Sequence, residues 1–211
     1  MTGLFPESSL MEARTSTEGV RLRCADGSVL PLPVERWLDE PGPEEVTALA
    51  RADPPVLDVG CGPGRLVLAL GRRGVPALGL ETAPSAVRLG RRRGAAILER
   101  SVFGAVPCPG RWGTALLFDG TLGIGGAPPL LLRRLAALIR RGGSVLAELD
   151  PAVRGIRTLL ARIERGAAAS AWFPWSRVGP DAIEPVAWQA GLRIEDRWEE
   201  AGRWFATAVK P

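Results

Sequence analysis

The sequence predicts an α/β fold, a doubly wound and mostly parallel sheet that finishes in an antiparallel hairpin. Three observations carry this. From Pro54 onward, short apolar runs alternate with helical patterns, the rhythm of a parallel sheet with helices on both faces. A glycine-rich turn, "GCGPG" at 60–64, stands between the first of these strands and the helix after it. The C-terminal end then leaves the rhythm for two alternating runs joined at Ala201-Gly202, a hairpin signature.

Before the main fold, "GVRLRCADGSVLPLPVERWL" carries Asp26-Gly27 between apolar-containing runs, a strong hairpin signal. "PGPEEVTALARA" reads as a helix entering the main fold. Residues 1–18 are polar and unpatterned, so a flexible N-terminus is expected, a candidate mobile lid. The expected organisation is one domain: this N-terminus, a hairpin and helix extension over 19–53, and the main fold over 54–211. Within it "PVLDV" is a buried strand and "GRLVLALGRRG" a helix. "VPALGLE" is a second strand and "APSAVRLGRRRG" its helix, with Pro84 suited to an early helix position. "AAILER" and "WGTALLFDG" are the third and fourth strands. "PPLLLRRLAALIRRGG" is a helix opened by prolines and closed by Gly142, and "SVLAELD" is the fifth strand. "GPDAIEPVAWQAG" is the last helix, before "LRIEDRWEEAG" and "RWFATAVKP".

Composition narrows the function classes. The 211 residues are 46% hydrophobic and 24% charged, ordinary for a globular chain with a sizeable core. No apolar run approaches bilayer length. The opening stretch lacks a basic region followed by an apolar core, so a cytoplasmic location is expected and no membrane partner. Three scattered cysteines, Cys24, Cys61 and Cys108, make neither a disulfide framework nor a zinc site. The absence of histidine removes the commonest nitrogen ligand, and no metal is expected. Net charge is +4. Its arginine clusters at 72–73, 91–93, 133–134 and 140–141 are read mostly as helix ends, where cations meet the negative end of the helix dipole.

A strand ending in Asp58, then glycines, then a helix from about Gly64, is a turn that lets backbone N–H groups approach a ligand beside a helix N-terminus. Spacing chooses the ligand. A dinucleotide fingerprint reads G-x-G-x-x-G, and its third glycine would fall on Arg65. No Gly-Lys-Ser/Thr follows for a P-loop.

"LDVGCGPG" resembles motif I of the class I S-adenosylmethionine-dependent methyltransferases, and the resemblance runs from about Pro54 to Pro211. It implies a seven-stranded sheet ending in a β-hairpin, with S-adenosyl-L-methionine as cofactor. Asp58 with the turn Gly60, Cys61, Gly62 and Gly64 would hold the methionine part. Glu81, followed by Thr82, would bind the ribose hydroxyls, for which a charge-assisted hydrogen bond suits a carboxylate. Ser101 stands where an adenine-contacting Asp is common, with Val102 and Phe103 as pocket walls. Asp119 and Gly120 fall where the family's motif IV meets methyl donor and substrate. The loop "DGTLGIGG" resembles "DGNIGIGG" loops in a group of bacterial members, with Thr121 in place of asparagine.

Methyl transfer is an in-line displacement in which alignment does most of the catalytic work. With no histidine or tyrosine, the strand-end carboxylates Asp119, Glu148 and Asp150 remain as bases, and Asp119 is the first candidate, as base or substrate-orienting group. Asp150 has the alternative role of a helix cap. In "AWFPWSRVGP", Trp172, Phe173 and Trp175 form a candidate aromatic wall and Arg177 a candidate receptor for an acidic group, with Trp37 closing the opposite side. A small-molecule acceptor is the leading expectation. Basicity keeps RNA or protein as alternative acceptors, and a non-catalytic cofactor-binding subunit is a third possibility. Oligomeric state is not encoded in any motif.

Overall fold

The computed structural model describes residues 19–32 and 34–211; the expected flexible segment 1–18 lies outside them. In chain order the elements are β1 (Arg21–Cys24), β2 (Val29–Pro31), α1 (Pro43–Leu49), β3 (Val56–Val59), α2 (Arg65–Arg72), β4 (Ala77–Glu81), α3 (Pro84–Arg92), β5 (Ile97–Glu99) and β6 (Trp112–Leu117). Then follow α4 (Pro128–Leu138), β7 (Ile139–Leu149), β8 (Ile156–Arg165), β9 (Ala168–Ala169), β10 (Phe173–Val178), α5 (Ile183–Gln189), β11 (Arg193–Glu200) and β12 (Arg203–Val209).

The main sheet has seven strands in the order β11-β12-β7-β6-β3-β4-β5. Strands β5, β4, β3, β6 and β7 pair in parallel, and β12 joins antiparallel to β7 and to β11. This is the doubly wound sheet with a terminal hairpin that the residue pattern implies. Its central strands read as continuous apolar runs because both faces are covered. On one face Leu131, Leu135, Ile183 and Val186, from α4 and α5, pack against Leu57, Leu117 and Val145. On the other, Ala48, Leu49, Leu66 and Leu70, from α1 and α2, meet Val56, Leu116 and Phe205. Prolines open α1, α3 and α4 at the first helical position, where a missing N–H costs nothing.

Two features depart from the sequence pattern. Helix α4 stops at Leu138 rather than Gly142, and Ile139 already pairs with Trp112. A Cβ at Gly143 would lie 2.8 Å from the Gly113 carbonyl, so the chain must run extended past β6 here. Arg133 and Arg134 consequently sit inside α4, and Arg140 and Arg141 at the start of β7, not at helix ends.

The second departure is a second sheet of five strands, β10-β8-β1-β2 with β9 on β8. The Asp26-Gly27 hairpin does form β1 and β2, but it pairs with β8, more than a hundred residues later: Leu22 stands opposite Ile163 and Cys24 opposite Ala161. One face of this sheet, with Leu22, Ala161 and Ile163, packs on Ala83 and Ala86 at the start of α3. It therefore roofs the edge of the main sheet where the parallel strands end.

Candidate active site

The roofed space is a cleft of about 790 Å³, mouth included, within the size range of pockets for small organic ligands. Its floor is the glycine turn after β3. Gly60, Gly62 and Gly64 have φ of 70°, 54° and 77°, a left-handed backbone that side chains disfavour. Their surroundings differ. A Cβ on Gly60 would stand 2.8 Å from Thr121 Cγ2, and one on Gly64 2.7 Å from Ala95 Cβ, whereas one on Gly62 meets nothing within 4 Å. Two of the three glycines thus admit neighbouring protein, and Gly62 alone of them faces open space.

The turn's N–H groups are mostly spent inside the protein. Gly60 and Cys61 donate to the Leu80 carbonyl at 2.8 and 3.1 Å, and Gly64 to the Cys61 carbonyl at 3.0 Å. Gly62 donates to Glu81 Oε2 at 3.0 Å. A phosphate cradle needs such donors free. Their engagement argues, independently of spacing, against a pyrophosphate ligand.

Glu81, at the end of β4, is 3% exposed. Its Oε1 also accepts from the N–H groups of Thr82 and Ala83 at 2.6 and 2.8 Å. Burial raises its pKa, opposed by these backbone donors. Asp58 is equally buried, and its Oδ2 has no hydrogen-bond partner among the described residues. Burial pushes it up to about 7 against the pull of Arg65, and the charges of Asp119 and Glu81 push the same way. An unpartnered buried carboxylate oxygen facing a cleft is an acceptor awaiting a donor. Cys61 Sγ fills the space left by Gly79, where a Cβ would approach to 2.4 Å, and burial drives its thiol pKa well up.

Across the cleft lies an ion cluster that the sequence did not suggest. Arg65, the first residue of α2, reaches both carboxylate oxygens of Glu45 at 2.5 Å and Asp119 Oδ2 at 2.6 Å. Arg203, first in β12, holds Glu148 at 2.8 Å through two nitrogens, Glu45 at 2.7 Å, Glu44 at 2.9 Å and Asp119 Oδ1 at 3.4 Å. Burial alone would raise Glu45, yet bonds from Arg65 and Arg203 bring it down to about 2. Both arginines are held still more firmly protonated. Asp119 is fixed from every side: φ is 54°, its N–H donates to Glu148 Oε2 at 2.7 Å, and both carboxylate oxygens face guanidinium groups. With both oxygens and its backbone so engaged, it is a fixed group suited to orienting a ligand.

The other candidates are placed as follows. Trp37, Thr121 and Trp175 line the cleft with Asp58, Gly60, Cys61, Gly62, Glu81 and Asp119. Thr121 turns its methyl onto Gly60, and its Oγ1 is buried without a partner among the described residues. Gly120 lines an adjoining second cleft together with Trp37, Asp119 and Trp175. Ser101, Val102 and Phe103 line neither: Val102 is in the core, Ser101 Oγ accepts from the Phe103 N–H, and Phe103 is 48% exposed. Thr82 is half-buried beside Glu81. Trp172 points outward under the Arg162 guanidinium, so it is no part of the aromatic wall. Arg177 is bound by Asp150 at 2.5 Å, which leaves it no free charge for an acidic group. Among the described residues no group of side chains has the makings of a metal site, and no helix is long and apolar enough to cross a membrane.

No family model and no curated protein matches the sequence. Solved structures do resemble the fold. A methyltransferase from Bacteroides fragilis, crystallised with S-adenosyl-L-homocysteine, superposes with a TM-score of 0.82 at 21% identity, over 100% of this chain and 99% of that one. The 1,6-didemethyltoxoflavin-N1-methyltransferase of Burkholderia thailandensis gives 0.62 at 21% identity over 83% and 81%. The glycopeptide N-methyltransferase MtfA gives 0.60 at 16% identity over 80% and 92%. The chain thus has the fold of the class I S-adenosylmethionine-dependent methyltransferases.

Proposed function

We propose that this chain is an S-adenosylmethionine-dependent methyltransferase acting on a small-molecule acceptor. The observation that carries it is the pairing of Asp58, a buried carboxylate with an unsatisfied oxygen, with the open face of Gly62 in the cleft of this fold. An ammonium group meets the need of Asp58, and Gly62 leaves room for the chain that bears it. Glu81, immobilised by three N–H donors, keeps one acceptor site, on Oε2, for a sugar hydroxyl. Thr82, beside Glu81, is the neighbour of the nucleoside in this reading, whereas Ser101, Val102 and Phe103 line neither cleft. S-adenosylmethionine supplies, when bound, a methyl group activated by a sulfonium. The chain's own residues do the rest. Asp119, Trp37 and Trp175 line both clefts and Gly120 the second, so together they frame the junction where methyl donor and acceptor would meet. Catalysis by such a site is mainly alignment.

Enclosure supports a small acceptor. Arg72 and Arg73 end α2, Arg91 and Arg92 end α3, and Arg140 and Arg141 begin β7. All lie at the edge where the parallel strands start, opposite the cleft, so these six arginines do not lead a nucleic acid to the site. Two of the similar structures are named for N-methylation of 1,6-didemethyltoxoflavin and of a glycopeptide, neither of them a nucleic acid. One domain over 19–211 and a cytoplasmic location complete the proposal.

Calorimetry with S-adenosylhomocysteine tests the cofactor, and Gly62→Val and Glu81→Ala should each abolish binding. A labelled-methyl screen of metabolites and RNA tests the acceptor. Label in RNA alone would reverse the assignment.

A further inference from the structure

The second cleft adjoins the first, and Leu22, Leu32, Trp37, Asp119 and Trp175 line both. Asp119 is the charged side chain at that junction. The second cleft is otherwise walled by apolar groups such as Leu30, Leu122 and Val178. Its charged lining is Arg36, Asp119, Glu148, Asp150 and Arg177. Neither arginine is at liberty: Arg36 binds Glu44 and Glu45, and Arg177 binds Asp150. With the partners behind them, Arg36, Arg65, Arg177 and Arg203 face Glu44, Glu45, Asp119, Glu148 and Asp150, four cations against five carboxylates. The site is therefore net negative in a chain of net charge +4.

We propose that the acceptor is a neutral amine on an apolar, ring-bearing body, seated in the second cleft with its nitrogen toward Asp119. This rests on the methyltransferase reading. In the transfer, the nitrogen lone pair forms the N–C bond while the C–S pair returns to sulfur, leaving a neutral thioether. The alkylammonium that predominates near neutral pH first gives its proton to solvent to free that lone pair. Positive charge then returns to nitrogen in the transfer, and a methylated primary or secondary amine gives up its remaining proton to solvent. Turnover should therefore rise with pH as the free base becomes available. Fixed carboxylates beside that nitrogen stabilise the charge as it develops, more in the transition state than in the ground state. Tryptophan faces favour the same charge. An oxyanion acceptor would be repelled by the same groups. A neutral hydroxyl would need a base, and Asp119 and Glu148, the carboxylates nearest the junction, already spend their oxygens on the guanidinium groups of Arg65 and Arg203.

The test uses the full chain loaded with S-adenosylhomocysteine for binding, and with labelled-methyl S-adenosylmethionine for turnover. The probes are matched sets: 2-phenylethylamine, 2-phenylethanol and 3-phenylpropanoate, with tryptamine, tryptophol and indole-3-propanoate. The amines should bind at least tenfold more tightly than their alcohol and acid partners, and label should appear on nitrogen. Asp150→Asn frees Arg177 and should move the preference toward the acids, with homocysteine-nucleoside affinity unchanged. Equal or tighter binding of alcohols or acids, or binding of no probe to the loaded protein, overturns the amine assignment and leaves the cofactor intact. Failure to bind S-adenosylhomocysteine overturns both.

Discussion

Asp58 offers the most direct test of how the cleft recognises its cofactor. Its carboxyl is buried at 3% exposure and titrates at about 7, against about 3.9 in an unfolded chain. Without ligand, the folded state binds the proton more tightly, so stability from this group is full below about pH 4 and is lost as pH rises toward about 7. An ammonium placed against Asp58 reverses the preference, because it pairs with the ionised form. Binding must then expel the proton that the free protein carries. With a pKa of about 7, about 0.8 proton should leave per ligand at about pH 6.5 and about 0.2 at about pH 7.5. Affinity for S-adenosylhomocysteine should fall about 25-fold, roughly 1.9 kcal/mol, from about pH 7.5 to about pH 5.5. Calorimetry in buffers of different ionisation enthalpy measures both quantities. Asp58→Asn should bind weakly with most of the pH dependence gone, which separates its share from that of Glu81. Equal affinity at both pH values with no buffer-dependent heat would refute the placement of an ammonium at Asp58.

Other substitutions probe the frame around the cleft. Valine at Gly62, where φ is 54°, should cost about 1–2 kcal/mol in backbone strain and eliminate nucleoside binding, read by urea unfolding and calorimetry on one sample. Glu45→Ala leaves Arg65, whose side chain is 3% exposed, without its main partner, and should destabilise by about 3–5 kcal/mol in the same unfolding assay. A methyl at Gly123 would stand 2.1 Å from the Ser176 carbonyl and 2.9 Å from Trp175 Cε2. Gly123→Ala should therefore lower stability by about 1–3 kcal/mol and shift Trp175 fluorescence.

The main sheet was legible because local signals agreed. Buried parallel strands are short apolar runs, and glycine or proline punctuates each of their helices. The second sheet was not, for a physical reason. In "IRTLLARIER" the burial alternates only over Leu159 to Ile163, Arg162 sits on the outer face with the exposed Leu160, and Glu164 and Arg165 are both buried, so the run lacks the plain alternation of a half-buried strand. What makes it β8 is pairing with β1, whose residues lie about 140 positions earlier, and no window of sequence contains both. The glycine turn was identified correctly as a turn that needs glycine, but for mixed causes, since Gly60 and Gly64 yield to Thr121 and Ala95. Trp172 and Trp175 looked alike three residues apart. Strand pairing of Trp175 with Leu159 turns it inward, while Trp172 precedes β10 and escapes.

The arginine–carboxylate cluster was missed because each member has an ordinary local explanation. Glu44 and Glu45 suit the first turn of a helix, and Arg203 follows a hairpin turn. Such a cluster is a weak source of net stability, since apolar replacements of a buried ion pair often do as well. What it supplies is position. Glu44 and Glu45 come from α1, Arg65 from α2, Glu148 from β7 and Arg203 from β12, and they converge on Asp119 in the loop after β6. Asp119 adopts a left-handed backbone that a non-glycine residue holds only when its surroundings require it. Four separate segments supply that requirement, so the junction of the two clefts is built from parts that meet only in the finished fold. A site whose chief task is to align two ligands needs that rigidity more than it needs a titrating base.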